Sequence, residues 1–135
     1  MDAVLPGLGA LTVFVEDLES SASFYGDVLG LRDVHQGEDS AVFAVGPTLL
    51  NLLDVTAARE LVEPAPVAPP GVGARMQLTA WVDDVDAVCD VLRSRGVALL
   101  NGPVDRPWGK RTAAFTDPAG TVWEVAQDLP AREAG

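Results

Sequence analysis

The chain of 135 residues has the length of one domain, and 48% of its residues are hydrophobic, which is enough to build a core. A net charge of −11 disfavours nucleic acid as a partner, because that partner needs clustered basic side chains. The apolar stretches are too short to span a bilayer, and Cys89, the single cysteine, rules out a disulfide framework. The opening MDAVLPGLGA lacks the basic region of a signal peptide, so we expect a cytoplasmic protein without a membrane partner.

A strand and a helix are predicted first along the chain. Apolar side chains alternate over residues 10–15, ALTVFV, which is the period-2 pattern of a strand with two different faces. Asp17 stands where a helix N-cap belongs, and an apolar stripe with helical spacing follows over residues 18–29. Gly30 then ends the helix as a C′ glycine does.

Three short strands follow this helix. They are predicted over residues 31–35, 41–45 and 48–54, with turns at the sequences GEDS and Gly46-Pro47 between them. The next segment, residues 55–74, is rich in proline and alanine. It reads as an extended linker with at most a short helical turn.

The order of elements then repeats. QLTAWV at residues 77–82 alternates like the first strand, Asp84 is the N-cap, and a helical stripe over residues 85–92 ends at Gly96. Cys89 lies on that stripe and is most simply a core residue.

The second copy also ends in three strands. They are predicted over residues 97–100, 112–116 and 121–127, with a long loop containing PVDRPWGKR after the first. Aligning the last strands of the two copies places Asn51 on Glu124. This agreement of strands, caps and glycines predicts a duplicated βαβββ unit.

The predicted fold is therefore α+β, with tandem βαβββ modules forming a curved mixed sheet around a cleft. One domain spans the chain, divided into module one at 8–54, the linker at 55–74, module two at 75–128 and a short tail at 129–135. The branched residues of each first strand should meet the helix, and the alternate residues should line the cleft. The alternate set comprises Ala10, Thr12, Phe14, Gln77, Thr79 and Trp81, and the same parity adds Asn51 and Glu124. Phe14 and Trp81 suit either ligand contact or ordinary core packing.

Three segments carry a resemblance to a known family. LTVFVEDLESSASFYGDVLGL, LTAWVDDVDAVCDVLRSRGV and PWGKRTAAFTDPAGTVWEVA are similar to the vicinal oxygen chelate superfamily, which includes glyoxalases, bleomycin-resistance proteins and dioxygenases. The resemblance covers residues 8 to 128. It implies the glyoxalase/bleomycin-resistance fold, commonly completed as a homodimer, and in the metalloenzymes a divalent cation held by the first and last strands of each module.

The cation-binding positions implied by the resemblance are degenerate in this chain. They fall on Ala10, Asn51, Gln77 and Glu124, and alanine offers no donor atom while only the glutamate is anionic. A divalent ion usually needs at least two strong ligands, and His35, the single histidine, lies off these positions. We therefore expect no metal and no other cofactor.

The metal-free members of the family resemble the bleomycin-resistance proteins, which bind an antibiotic without reacting with it. This implies a metal-independent small-molecule binding protein that sequesters an antibiotic or a related natural product. Its candidate ligand-binding residues are Phe14, Asn51, Gln77, Trp81, Trp108 and Glu124. The acidic composition suits a cationic or aromatic ligand. The alternative is a superfamily enzyme, an isomerase, lyase or dioxygenase-like protein, that uses Glu124 as a base or a weak metal site. A third hypothesis is a subunit or regulator whose cleft binds a peptide or a partner chain.

Overall fold

The computed structural model describes residues 4–74 and 76–131, and their strands form two four-stranded mixed sheets. The chain divides between Val72 and Gly73 into two compact units, each with one sheet. Unit one contains β1 (Ala10–Val15), α1 (Leu18–Ser23), a π-helical segment (Phe24–Val28), β2 (Arg32–Gln36), β3 (Ser40–Val45), β4 (Thr48–Asp54) and α2 (Val55–Val62). Unit two contains β5 (Gln77–Trp81), α3 (Val85–Ser94), β6 (Leu99–Arg106), β7 (Lys110–Thr116) and β8 (Val122–Asp128). The α+β fold class is confirmed.

The two sheets have the same topology. Their strand orders are β1-β4-β3-β2 and β5-β8-β7-β6, and in each sheet the first and last strands of the unit pair in parallel. Thr12 lies opposite Asn51 in one parallel pair, and Thr79 lies opposite Glu124 in the other. This register confirms the predicted equivalence of Asn51 and Glu124.

Both predicted N-caps are confirmed. A carboxylate oxygen of Asp17 accepts a hydrogen bond from the backbone N–H of Ser20 at 3.2 Å, and Asp84 accepts one from Ala87 at 3.1 Å. Gly30 follows the first helical region with a φ of 70°, a left-handed conformation that favours glycine.

Each unit has its own apolar core on the helix-bearing face of its sheet. In unit two, Cys89 of α3 is fully buried, as expected of a core residue, and buried side chains of β7 and β8 include Phe115 and Trp123. In unit one, Val13 and Val15 are buried, whereas Thr12 before them is exposed and Phe14 between them is half-buried. The predicted division of the first strand into a helix-facing set and an alternate set is therefore present.

Three segments differ from the sequence-based prediction. The first helix changes from α-helical to π-helical hydrogen bonding at Phe24. The linker begins with α2, a helix of 8 residues, because the Asp54 carboxylate caps it by accepting from the backbone N–H of Thr56 at 2.9 Å. The predicted long loop after residue 100 is instead strand up to Arg106, where β6 pairs with β7 through two shifts of register.

No helix in the described ranges is both long enough and apolar enough to cross a membrane.

Candidate functional site

The sheet of unit two has one face that turns away from α3. Arg111 of β7 lies on the opposite face, the one that packs against α3, because its guanidinium donates a hydrogen bond to Asp86 of α3 at 2.9 Å. Gln127, the partner of Arg111 on β8, also lies on that opposite face and accepts from the backbone N–H of Val85 at 2.6 Å. Side chains alternate along a strand, so Thr112 and Glu124 lie on the face away from α3. We refer to this surface, formed by Gln77, Thr79, Trp81, Asn101, Val104, Arg106, Lys110, Thr112, Ala114, Glu124, Ala126 and Asp128, as the open face.

Glu124 occupies the middle of the open face on β8. Its Oε1 accepts a hydrogen bond from the hydroxyl of Thr79 at 3.1 Å, across the parallel pair of β5 and β8. Gln77 lies two residues before Thr79 on the same strand face and is exposed. The hydroxyl of Thr79 is therefore a hydrogen-bond donor to the Glu124 carboxylate.

Asn51 is the equivalent residue in unit one. Its amide nitrogen Nδ2 lies 3.5 Å from the hydroxyl oxygen of Thr12, at the outer limit of a hydrogen bond. Its amide oxygen Oδ1 is buried and has no hydrogen-bond partner among the residues that the structure describes. Phe14, two residues after Thr12 on β1, shares this face of the sheet and is half-buried.

Trp81 ends β5 and is 72% exposed, so within this chain it is not a core residue. The ammonium group of Lys110 lies 5.1 Å from the centre of the Trp81 ring, a cation–π distance, and also pairs with the carboxylate of Asp128. Together with Val82, Asp83 and Ala126 these residues line a shallow depression of about 370 Å³. One side of the indole ring therefore already has a cationic neighbour.

Trp108 lies in the turn between β6 and β7 and is 65% exposed. The guanidinium carbon of Arg106 lies 5.8 Å from the centre of its ring. Gly109 follows with a φ of 83° and donates its N–H to the carbonyl of Arg106 at 3.1 Å, which closes the turn. The turn holds the tryptophan at the surface rather than in the core.

The chemistry of these residues does not fit a divalent cation. In unit one the implied ligand positions hold Ala10, which has no donor atom, and Asn51, which offers a neutral amide. In unit two they hold Gln77 and Glu124, so this unit supplies one carboxylate. Within residues 4–74 and 76–131, no three histidine, cysteine or acidic side chains are grouped as a metal site requires. His35 is exposed on β2, opposite Val42.

The sequence did not single out Arg106, Asn101 or Thr112. Their side chains are joined by hydrogen bonds on the open face, from Nε of Arg106 to the Thr112 hydroxyl at 2.9 Å and from Nη2 to the Asn101 amide oxygen at 3.3 Å. The missed signal was the alternation of Val104 and Arg106 with Asp105, which is compatible with a strand.

Comparisons with known proteins agree on one family. The Glyoxalase/Bleomycin resistance protein/Dioxygenase superfamily matches residues 7–125. The protein YraH of Bacillus subtilis (strain 168) is 32% identical over 123 residues, covering 88% of this chain and 96% of YraH.

Two solved structures are also similar. A glyoxalase/bleomycin resistance protein/dioxygenase from Nocardioides superposes with a TM-score of 0.85 at 27% identity, covering 99% of this chain and 91% of that one. TnmS3, an antibiotic binding protein from Streptomyces sp. CB03234, superposes with a TM-score of 0.71 at 32% identity, covering 94% of this chain and 99% of that one. The family match spans most of the chain and agrees with the resemblance in its motifs, and on this basis the chain belongs to the Glyoxalase/Bleomycin resistance protein/Dioxygenase superfamily.

Proposed function

We propose that this chain is a metal-independent small-molecule binding protein that sequesters an antibiotic or a related natural product. The observation that carries the proposal is the residue set at the cation-binding positions of the family, which consists of Ala10, the two amides of Asn51 and Gln77, and a single carboxylate, Glu124. Lewis-acid chemistry needs a bound metal ion, and this set is a poor ligand for one. The similarity to TnmS3 supports an antibiotic as the class of ligand.

The exposed aromatic side chains of unit two support binding of a planar ligand. Trp81 and Trp108 place indole rings at the surface, where burial by a ligand removes apolar area from water. On the open face, Gln77 and Glu124 supply polar groups that fix the orientation of a ligand.

In unit one we propose that Phe14 and Asn51 contribute to binding as well. The buried Oδ1 of Asn51 is an acceptor that lacks a donor among the described residues, and a ligand N–H or O–H group supplies one.

The binding proposal is tested in a thermal unfolding assay with a panel of cationic glycopeptide antibiotics and of aromatic antibiotics with and without an acidic group. A ligand at ~100 times its dissociation constant stabilises the folded state by about 2.7 kcal/mol, which raises the melting temperature by roughly 10 °C for a chain of this size. Mass spectrometry of the recovered antibiotic should show it unmodified. Conversion to a product would support the enzyme alternative, and loss of that conversion in Glu124→Gln would assign the carboxylate as the base.

Metal independence is tested separately. Protein purified without chelator should contain well below one equivalent of Mn, Fe, Ni or Zn per chain, and ligand affinity should be unchanged by EDTA. One stoichiometric equivalent of any of these metals, lost together with ligand binding on EDTA treatment, would refute metal independence.

A homodimer and a cytoplasmic location complete the proposal. Light scattering at micromolar concentration should give twice the mass of the chain, and cell fractionation should place the protein with cytoplasmic markers. A monomer in solution would refute the proposed homodimer and would leave the proposed ligand binding unaffected.

A further inference from the structure

The hairpin of β6 and β7 concentrates positive charge in an acidic chain. Arg106, Lys110 and Arg111 lie within it, whereas the whole chain has a net charge of −11. Arg111 lies on the α3 side of the sheet, where hydrogen bonds to Asp86 at 2.9 Å and to Asp105 at 2.8 Å hold the pKa of its guanidinium above the usual range. Its charge is thus matched by carboxylates.

Lys110 is matched in the same way, since its ammonium group pairs with Asp128. Arg106 differs from both. Among the residues that the structure describes, no carboxylate pairs with Arg106, and its side-chain partners are the Thr112 hydroxyl, the Asn101 amide oxygen and the Trp108 ring. The positive charge of Arg106 is therefore held in place by neutral groups.

The neutral partners orient the guanidinium without using most of its donors. Thr112, which is 1% exposed, accepts from Nε at 2.9 Å, and Asn101 accepts from Nη2 at 3.3 Å. A guanidinium has five N–H groups in a planar fork, so three remain for a ligand, two of them on Nη1. A fixed planar fork with spare donors matches the geometry of a carboxylate, sulfonate or phenolate.

Apolar surface lies beside this fork. The Trp108 ring, 5.8 Å from the guanidinium carbon, is mostly exposed, and Val104 lies two residues before Arg106 on the same face of β6. Glu124 shares the open face but lies on β8, two strands away and four residues along the strand from Asp128, which is in line with Arg106, so the two backbones are more than about 10 Å apart. One end of this surface is therefore cationic and aromatic, and the other end holds a carboxyl group.

We infer that Arg106 binds the acidic group of an anionic aromatic ligand, whose ring system lies against Trp108 and Val104. This inference rests on the proposed binding function and specifies the ligand. It reverses the preference for a cationic ligand that the overall acidity of the sequence suggested. Charges farther away than the Debye length, about 8 Å at physiological ionic strength, are largely screened, so the contact charge of Arg106 determines the preference in the bound state.

A matched pair of dyes tests the inference. 8-Anilinonaphthalene-1-sulfonate and N-phenyl-1-naphthylamine share a ring system, and the first carries a sulfonate that the second lacks. In fluorescence titrations, Arg106→Gln should weaken binding of the sulfonate by about 10- to 100-fold, the range of a lost charge-assisted hydrogen bond, and should change binding of the neutral dye less than about twofold. Trp108→Ala should weaken both dyes, because it removes apolar surface that both use.

Arg93→Gln is the matched control, since Arg93 is an exposed arginine of α3 that pairs with Asp90 on the solvent side. It should leave both affinities unchanged, and an equal loss of sulfonate affinity in this variant would refute a specific role for Arg106. The inference is also refuted if neither dye binds, or if Arg106→Gln affects both dyes alike. Should Arg106→Gln fail to give the cooperative unfolding transition of the parent, Arg106→Lys replaces it, keeping the charge while losing the fork. It should then bind the sulfonate more weakly than the parent and the neutral dye equally well.

The outcome separates this inference from the proposed function. If antibiotics of the panel bind but the affinity of acidic ones does not depend on Arg106, the inference fails and the proposed function stands. If none of the antibiotics binds but the sulfonate does so through Arg106, the proposed function fails and the anion site stands.

Discussion

Replacing Gly102 by alanine should destabilise unit two strongly. A Cβ atom at this position would lie 2.4 Å from the carbonyl oxygen of Thr112 and 2.8 Å from the Cα of Ala113. Both atoms belong to the backbone of β7, so no change of side-chain rotamer relieves the overlap. Gly102 also has a φ of 83°, which an L-residue with a side chain rarely adopts.

The two effects have separate magnitudes. The left-handed conformation costs alanine roughly 1–2 kcal/mol. The overlap forces a backbone shift of the kind that costs about 1–3 kcal/mol in overpacked sites. Gly102→Ala should therefore lower the free energy of unfolding by about 2–5 kcal/mol, a large part of the roughly 5–15 kcal/mol of a typical domain.

Gly109→Ala isolates the cost of the left-handed conformation. Gly109 has the same φ of 83° and lies in the turn of the same hairpin, but a Cβ there would meet nothing within 4 Å. This control should lose only the roughly 1–2 kcal/mol of the conformational term. Urea unfolding followed by tryptophan fluorescence measures both variants, and Trp81, Trp108 and Trp123 all lie in unit two. Equal losses in the two variants would refute the close approach of β6 to β7 at Gly102.

Three further predictions concern the caps and the buried thiol. Asp84→Ala removes the acceptor for the N–H of Ala87 and should lower the free energy of unfolding by about 1 kcal/mol in urea titrations, whereas Asp84→Ser should retain most of it. Burial raises the pKa of the Cys89 thiol, so Ellman's reagent at pH 8 should label the native protein far more slowly than the urea-unfolded protein; rapid native labelling would contradict its burial. The backbone N–H and the hydroxyl of Thr56 lower the pKa of Asp54 below its ordinary value of 3.8, so the stabilisation is fully present above pH 3.8 and is lost as the pH falls below it. The difference in melting temperature between the parent and Asp54→Asn should accordingly shrink in that acidic range, and a constant difference would show that the charge is not involved.

The repeat was readable from the sequence because each of its signals is local. Alternation over five or six residues, an aspartate cap and a terminal glycine each act on a short stretch of backbone, and both copies carry all three. The strand alignment then correctly equated Asn51 with Glu124, which the structure places opposite Thr12 and Thr79, respectively. Local rules thus sufficed for the order of elements in each unit and for the equivalence of the two last strands.

The hairpin could not be read in the same way. The sequence Asn101-Gly102-Pro103 has the composition of a turn, yet it lies within β6 because tertiary pairing with β7 tolerates two register shifts there. Extending the strand to Arg106 is what brings its guanidinium over Thr112. The anion-binding group was therefore hidden by a long-range pairing that no local signal specifies.

Salt dependence provides a kinetic test of how the net charge and Arg106 act together. A chain with a net charge of −11 should repel the anionic dye during approach, whereas Arg106 should attract it once it is in contact. Raising the ionic strength from about 0.1 M to about 1 M shortens the Debye length from about 10 Å to about 3 Å and screens both interactions. In stopped-flow measurements the association rate constant should therefore rise with salt for the parent and for Arg106→Gln, because both retain an acidic surface. The dissociation rate constant should rise with salt for the parent alone, since only the parent has the contact ion pair that salt weakens. If dissociation of the dye from the parent is as insensitive to salt as its dissociation from Arg106→Gln, the guanidinium does not touch the sulfonate, and the bound dye is held by its rings.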